Sequence, residues 1–172
     1  MERGEPASDA DEVAASAAEV IERLGARGQT IAVAESLTGG MLAAALTAIP
    51  GASAVFRGGI VSYATDLKAS LLGVPAALLD ARGAVDPAVA SAMAEGARER
   101  MTATVGAATT GVAGPDPQDG QPVGTVYIAV SRAGRGTTVR SLALSGDRQQ
   151  IRQATVGRLL GLLVSNLREE YV

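Results

Sequence analysis

Lys68 is the only lysine in a chain of 172 residues that also lacks histidine and cysteine. The other basic side chains are all arginines, which stay protonated in proteins, so Lys68 is the basic group that can exchange a proton near neutral pH. Residue counts alone favour the plain alternative, a solvated lysine left on the surface. The motifs around Lys68 favour a chemical role instead.

A serine and two glycines follow a short apolar run. Residues 30–34 read as a buried strand, and Ser36 opens a turn that leads into a helix predicted over 41–48. A neutral lysine amine within hydrogen-bond reach of a serine hydroxyl can accept its proton, which makes Ser36 and Lys68 a candidate Ser-Lys pair. The N–H groups of Thr38, Gly39 and Gly40 are suited to an oxyanion or a phosphate equally, although plain turn chemistry is the commoner use of such glycines.

Hydrophobic periodicity and capping residues predict an alternation of helices and strands. A first helix starts at Ser8 or Asp9 and ends at Gly25 or Gly28. Further helices are predicted from a Thr65 cap to Leu72, near Pro75–Asp80, from Pro87 to Met101, and from Asp147 onward. The predicted strands are 30–34, 60–63, 104–109, 125–131 and 137–144, the last two as a hairpin.

The order of these elements places several polar residues at one edge of a sheet. Strands joined through helices pair in parallel, so their carboxyl ends meet at a common edge, where α/β proteins bind ligands. If the first two strands were instead antiparallel, Ser36 and Lys68 would separate. The residues expected at this edge are Ser36, Thr38, Tyr63, Lys68, Thr109 and Gly111.

Lys68 belongs to the first turn of its predicted helix, where the positive end of the helix dipole disfavours an ammonium ion. Burial would lower its pKa further, and Asp66 would oppose that shift. Less specific roles remain open for three neighbours. Tyr63 could be an amphipathic core residue, Arg148 a solvated side chain, and Thr109 with Thr110 a source of loop hydrogen bonds.

Composition limits the other classes of function. A formal charge of −3 and 2% aromatic residues disfavour nucleic-acid binding, and the absence of cysteine and histidine disfavours a zinc site. The uncharged stretch 36–56 is broken by glycines and a proline, so no membrane span is predicted. The first residues lack a secretory pattern, which predicts a cytoplasmic protein with a tail over 1–8 and one domain over 9–172.

Six motifs occur in an order that resembles the CinA C-terminal-domain family over residues 10–168. They are Ala34–Gly40 (Ala-Glu-Ser-Leu-Thr-Gly-Gly), Gly58–Tyr63 with Lys68, Gly83–Val85, Thr110–Asp116, Pro122–Val126 and Gly146–Arg148. The resemblance implies an α/β fold, a three-layer α/β/α sandwich around a mixed, largely parallel sheet with a C-terminal antiparallel hairpin. It also implies a nicotinamide-nucleotide amidase, which hydrolyses the carboxamide of nicotinamide mononucleotide to nicotinic acid mononucleotide and ammonia.

The same resemblance implies roles for individual residues. Ser36 corresponds to the family's nucleophile, Lys68 to its base and Tyr63 to an assisting phenol. No metal or organic cofactor is implied, the partner is a small nucleotide rather than nucleic acid or a membrane, and a dimer is expected. The residues expected to bind substrate are Thr38, Gly39, Gly40, Thr109, Thr110, Gly111 and, for the phosphate, Arg148.

Two positions depart from the family's pattern. Thr65 stands where members often have asparagine, and Pro117–Gly120 replaces a glycine pair that follows the loop aspartate. The first departure affects hydrogen bonding near Lys68, and the second affects the detail of the loop. Two alternatives to the amidase therefore remain, a nucleotide- or protein-binding module without turnover and an amidase for a different amide.

Overall fold

A mixed five-stranded sheet forms the centre of the structure, a computed structural model that describes residues 9–169. The strands are β1 (Ile31–Glu35), β2 (Phe56–Val61), β3 (Val105–Gly111), β4 (Thr125–Arg132) and β5 (Gly136–Ala143). Their order across the sheet is β2-β1-β3-β4-β5. Strand β1 pairs in parallel with β2 and β3, whereas β4 is antiparallel to β3 and β5. Four strands therefore run in one direction and β4 runs against them.

Helices cover both faces of this sheet. They are α1 (Asp9–Ala26), α2 (Met41–Thr47), α3 (Thr65–Leu72), α4 (Ala76–Arg82), α5 (Pro87–Arg100) and α6 (Arg148–Arg168), with a single 3₁₀ turn at Ala52–Ala54. Apolar residues of α1, α2 and α6 form one hydrophobic core with alternate residues of the strands. Residues of α3, α4 and α5 form a second core on the opposite face. These layers make an α/β/α sandwich, which confirms the predicted fold class.

Strand β1 is buried at every position because both of its faces are covered. Ile31 and Val33 pack into the first core, and Ala32 and Ala34 pack into the second. The small side chains on the second face let the helices there lie close to the sheet. At Gly106 of β3, for example, an added Cβ would lie 2.0 Å from the backbone oxygen of Ala94 in α5.

Local sequence signals set the ends of the two best-defined helices. Asp86 caps α5 by accepting a hydrogen bond from the Ala88 N–H at 2.7 Å, and Pro87 occupies the first helical position. Asp147 and Gln150 form a capping box at the start of α6. Both helices begin where their sequences predict.

Strand β2 and the start of α3 differ from the sequence-based expectations. Strand β2 covers 56–61 instead of 60–63, because Gly58 and Gly59 concealed its first half, and Tyr63 lies in the loop beyond the strand. Thr65 is the first residue of α3 and not its cap; the cap position is Ala64. The tail predicted over 1–8 and the alternative cap Ser8 lie outside the described residues, and the boundaries of a single domain over 9–172 remain a prediction.

Within the part of the chain that the structure describes, no helix combines the length and the apolar character needed to cross a membrane.

Candidate active site

Ser36 and Lys68 are in direct contact. The Lys68 Nζ donates to Ser36 Oγ at 3.1 Å and to the backbone oxygen of Ser62 at 2.7 Å. Lys68 is 1% exposed and Ser36 9% exposed. In the neutral amine, an N–H bonded to the Ser62 oxygen would leave the nitrogen lone pair free to point at the serine hydroxyl. This arrangement suits proton transfer from Ser36 to Lys68.

The parallel pairing of β1 with its two neighbours brings this pair together. Ser36 follows β1 directly, and its N–H is held by Thr109 of β3, with the backbone oxygen at 3.1 Å and Oγ1 at 3.3 Å. On the other side, the Ser62 N–H donates to the backbone oxygen of Glu35, so β2 stays in register beyond its last residue. Helix α3 then starts after a short turn and points Lys68 back toward the sheet edge.

Burial shifts the proton equilibrium of Lys68. Desolvation of the ammonium ion lowers the pKa of Lys68 from 10.5 to about 8, and the negative charge of Asp119 partly opposes the shift. The direction agrees with the sequence-based expectation, but the opposing carboxylate is Asp119 on a distant loop instead of Asp66 on the same helix. A pKa near 8 leaves roughly a tenth of Lys68 neutral at pH 7, against roughly one part in 3,000 for an ordinary lysine.

Ser36 lies at the wall of a cavity of about 90 Å³. Of the residues predicted to form a site, Ser36, Tyr63, Thr110, Gly111 and Arg148 line this cavity, and Lys68 contacts Ser36 from the protein interior. The other lining residues are Leu37, Ala84, Val85, Val112, Ala113, Gly114, Asp116 and Gln118. The loop after β3 supplies five of these thirteen lining residues.

Tyr63 and Arg148 contact each other at the mouth of the cavity. Arg148 donates from one guanidinium nitrogen to Tyr63 Oη and from another to the Gly114 backbone oxygen, both at 2.6 Å. Tyr63 is 56% exposed, and its hydroxyl bonds Arg148 and neither Ser36 nor Lys68. Of the side chains lining the cavity within residues 9–169, Arg148 is the cationic one. The pair places a positive charge and an aromatic ring where a ligand would enter.

Residues 13–167 match the family described as CinA C-terminal domain. The chain belongs to this family. It is 58% identical over 137 residues to a CinA-like protein of Frankia casuarinae, an alignment that covers 80% of this chain and 31% of that protein. The chain spans about a third of the length of the curated relatives it matches.

Solved structures of CinA proteins have the same fold. The competence/damage inducible protein CihA from Agrobacterium tumefaciens matches with a TM-score of 0.87 and 34% identity, covering 98% of this chain and 99% of that one. The competence damage-inducible protein A (ComA) from Klebsiella pneumoniae matches with a TM-score of 0.88 and 33% identity, covering 92% and 98%. These names refer to competence and damage induction and state no reaction.

Four predicted site residues of this CinA domain, Thr38, Gly39, Gly40 and Thr109, lie beside the cavity and do not line it. The turn Thr38–Gly40 is held from the α6 side by Arg152, which donates to the backbone oxygens of Leu37 at 2.9 Å and Thr38 at 3.3 Å. The Gly39 N–H donates to the Ser36 backbone oxygen. Thr109, which also does not line the cavity, bonds Thr38 between the two side-chain oxygens at 2.8 Å. These residues fix the shape of the serine turn.

Glu35 is a buried carboxylate that the sequence reasoning missed. Its two oxygens accept hydrogen bonds from the Leu42 and Ala43 N–H groups at 2.8 and 3.1 Å. Glu35 thus supplies acceptors for two backbone N–H groups in the first turn of α2. An anionic ligand at the start of α2 would lie next to the Glu35 carboxylate, which disfavours its binding there. A signal for this role was present in the sequence. Gly40, at the cap position of α2, has no side chain, so the first backbone N–H groups of the helix need an acceptor from elsewhere.

No group of three or more histidine, cysteine or carboxylate side chains positioned to hold a metal ion occurs among residues 9–169.

Proposed function

We propose that this CinA domain is an amidohydrolase that converts nicotinamide mononucleotide to nicotinic acid mononucleotide and ammonia. The observation that carries the proposal is the buried 3.1 Å contact between Ser36 Oγ and Lys68 Nζ at the wall of a cavity. A module that only binds a ligand needs no buried lysine, because burying an amine costs stability that a neutral side chain would not. The choice of nicotinamide mononucleotide follows from the family resemblance in the sequence.

The reaction proceeds in two stages. Ser36 Oγ attacks the carboxamide carbon while Lys68 accepts the hydroxyl proton, and the resulting tetrahedral intermediate breaks its carbon–nitrogen bond. Lys68 returns the proton to the departing nitrogen, which leaves as ammonia, and an ester on Ser36 remains. A water molecule that gives one proton to Lys68 then attacks the ester carbon. Lys68 passes that proton to Ser36 Oγ as the ester carbon–oxygen bond breaks, and the free serine and the acid product, which ionises to the carboxylate, are released.

The rim of the cavity suits the rest of the nucleotide. The cavity of about 90 Å³ accommodates the carboxamide end, so the ribose and phosphate would extend past the mouth. Arg148 is positioned there to pair with the phosphate, and its planar guanidinium matches phosphate oxygens well. Tyr63, which Arg148 contacts, would pack beside the pyridine ring or orient the developing alkoxide.

The direct test is ammonia release from nicotinamide mononucleotide by the purified protein, followed with a coupled assay and by chromatography of the product. We expect turnover without added metal ions. A panel of nicotinamide, nicotinamide riboside and asparagine separates an amidase for a different amide from the proposed one. Binding of the mononucleotide with no product from any of these amides would overturn the proposal in favour of a binding module.

The activity should depend on pH through Lys68. Because the neutral amine is the base, kcat/KM should rise by about tenfold per pH unit below the pKa and level off above it. Burial places that pKa at about 8, so the rise should end near pH 8. Initial rates measured from pH 6 to 9.5 at constant ionic strength check this. A profile that is flat across this range would exclude Lys68 as the titrating base.

A further inference from the structure

A tight hairpin in the loop between β3 and β4 carries an aspartate toward the cavity wall. Gln118 and Gln121 pair across the hairpin through two backbone hydrogen bonds, of 3.1 and 2.8 Å. Asp119 and Gly120 form its tip with positive φ angles of 51° and 73°. Asp-Gly is the residue pair that favours such a turn.

Asp119 attaches this hairpin to another part of the fold. Its Oδ2 accepts a hydrogen bond from the Ala84 N–H at 3.0 Å, and the Ala84 backbone oxygen accepts one from Thr110 Oγ1 at 2.6 Å. Ala84 is thus held between the loop and the end of β3, and Ala84, Val85 and Thr110 all line the cavity. Gly83 permits the approach, because a Cβ there would lie 2.9 Å from the Asp119 side chain.

We infer that Asp119 is a positioning residue for the proposed reaction. Asp119 fastens the loop to the wall formed by residues 83–85, and it places a carboxylate charge within electrostatic range of the Ser36–Lys68 pair. The effect of Asp119 on catalysis rests on the proposed function. The attachment of the loop and the effect of the Asp119 charge on Lys68 do not depend on that function. The charge holds more of Lys68 in the ammonium form, so it raises the pH at which Lys68 acts as a base and partly offsets the larger effect of burial.

Other charged groups lie on the elements around Lys68, and they define the controls. The carboxylate nearest in sequence is Asp66, which is exposed in the first turn of the same helix. Glu35 is already paired with the start of α2. The remaining ionisable groups on these elements are Arg57 in β2, Tyr63 after β2, Asp80 and Arg82 in α4, Asp86 at the cap of α5, Glu95, Arg98, Glu99 and Arg100 in α5, and Asp116 and Arg148 at the cavity.

The experiment uses the full chain labelled with ¹³C-lysine, because a single lysine gives a single side-chain signal to titrate by NMR. Asp119→Asn keeps an oxygen for the Ala84 N–H and tolerates positive φ, but removes the charge. We expect it to lower the pKa of Lys68 below the wild-type value, and the difference should shrink at high salt because Asp119 is exposed. The matched control Asp66→Asn should leave the titration unchanged. An unchanged pKa of Lys68 in Asp119→Asn, or an equal change of that pKa in Asp66→Asn, would overturn the inferred effect of the Asp119 charge on Lys68.

The fastening is tested separately by amide hydrogen exchange at Ala84. Exchange should be as slow in Asp119→Asn as in wild type and faster in Asp119→Ala, which lacks an acceptor. Equal exchange in all three proteins would overturn the attachment. With nicotinamide mononucleotide, the acidic limb of kcat/KM in Asp119→Asn should move to lower pH by the same amount as the NMR titration. A shifted titration with no turnover in any protein would refute the amidase proposal while leaving the role of Asp119 in place.

Discussion

Replacing Ser36 by alanine should reduce ammonia release from nicotinamide mononucleotide by at least about 10⁴-fold, because alanine lacks the hydroxyl that forms the proposed ester intermediate. Ser36 is nearly buried, and alanine fits its place without new contacts. The fold should therefore persist, and the substrate should still bind, because the proposed binding contacts are the rest of the cavity wall and Arg148, which the substitution leaves in place. Initial rates with excess enzyme, together with calorimetric binding of the mononucleotide, measure the two effects independently.

A matched control comes from Ser70, an exposed serine on α3 whose hydroxyl bonds only its own helix. Ser70→Ala should keep full activity. Hydroxylamine adds a chemical readout, because it intercepts a seryl ester and yields the hydroxamate of the substrate. Wild-type protein should form this hydroxamate and Ser36→Ala should not. Comparable turnover in wild type and Ser36→Ala would show that water attacks the amide directly, and the covalent route would then be abandoned.

The Ser36–Lys68 contact was predictable because it follows from topology. Two strands that pair in parallel end at one edge of the sheet, so Ser36 directly after β1 and Lys68 on the helix after β2 are brought to that edge. The sequence shows both strands by their apolar runs, and Lys68 by its isolation among arginines. The 3.1 Å contact confirms that juxtaposition, while the catalytic roles of the two residues remain a proposal.

The remaining parts of the site depend on contacts that no local pattern encodes. Asp119 reaches Ala84 across 35 positions of sequence, and Arg152 reaches the serine turn from the last helix. Periodicity shows which face of an element is buried, but it does not show which distant loop lies against it. The assignment of Asp66 as the opposing charge failed for this reason, since proximity along the chain was used in place of proximity in space.

Tyr63 and the turn Thr38–Gly40 illustrate a second limit of prediction from the sequence. Each lies next to a strand end, as predicted, yet the side chain of Tyr63 bonds Arg148, and the turn faces Arg152 instead of the cavity. The edge of a sheet has two sides, and one-residue differences decide which side a group faces. Their roles in substrate binding therefore stay predictions, as does the proposed pairing of Arg148 with a phosphate.

Lys68→Arg should lower kcat/KM by about 10³-fold, because arginine keeps the positive charge but cannot accept the serine proton. Arginine is also larger than lysine, and Lys68 occupies a fully buried position, so a loss of stability could mimic a loss of the base. Thermal melting of the variant separates the two causes. A folded Lys68→Arg protein with near wild-type activity would remove Lys68 from the mechanism.

Lys68→Ala gives a stronger test, because it opens the space that the lysine side chain fills. A small primary amine such as ethylamine can enter and act as the base, whereas an alkylammonium ion that lacks a removable proton cannot. We expect ethylamine to restore part of the activity of Lys68→Ala and to leave Ser36→Ala inactive. The restored rate should rise with pH as the added amine loses its proton, following the pKa of ethylamine instead of the value of about 8 for Lys68. Rescue by tetramethylammonium as well would mean that Lys68 fills space or supplies charge, and the proton would have to leave Ser36 by another route.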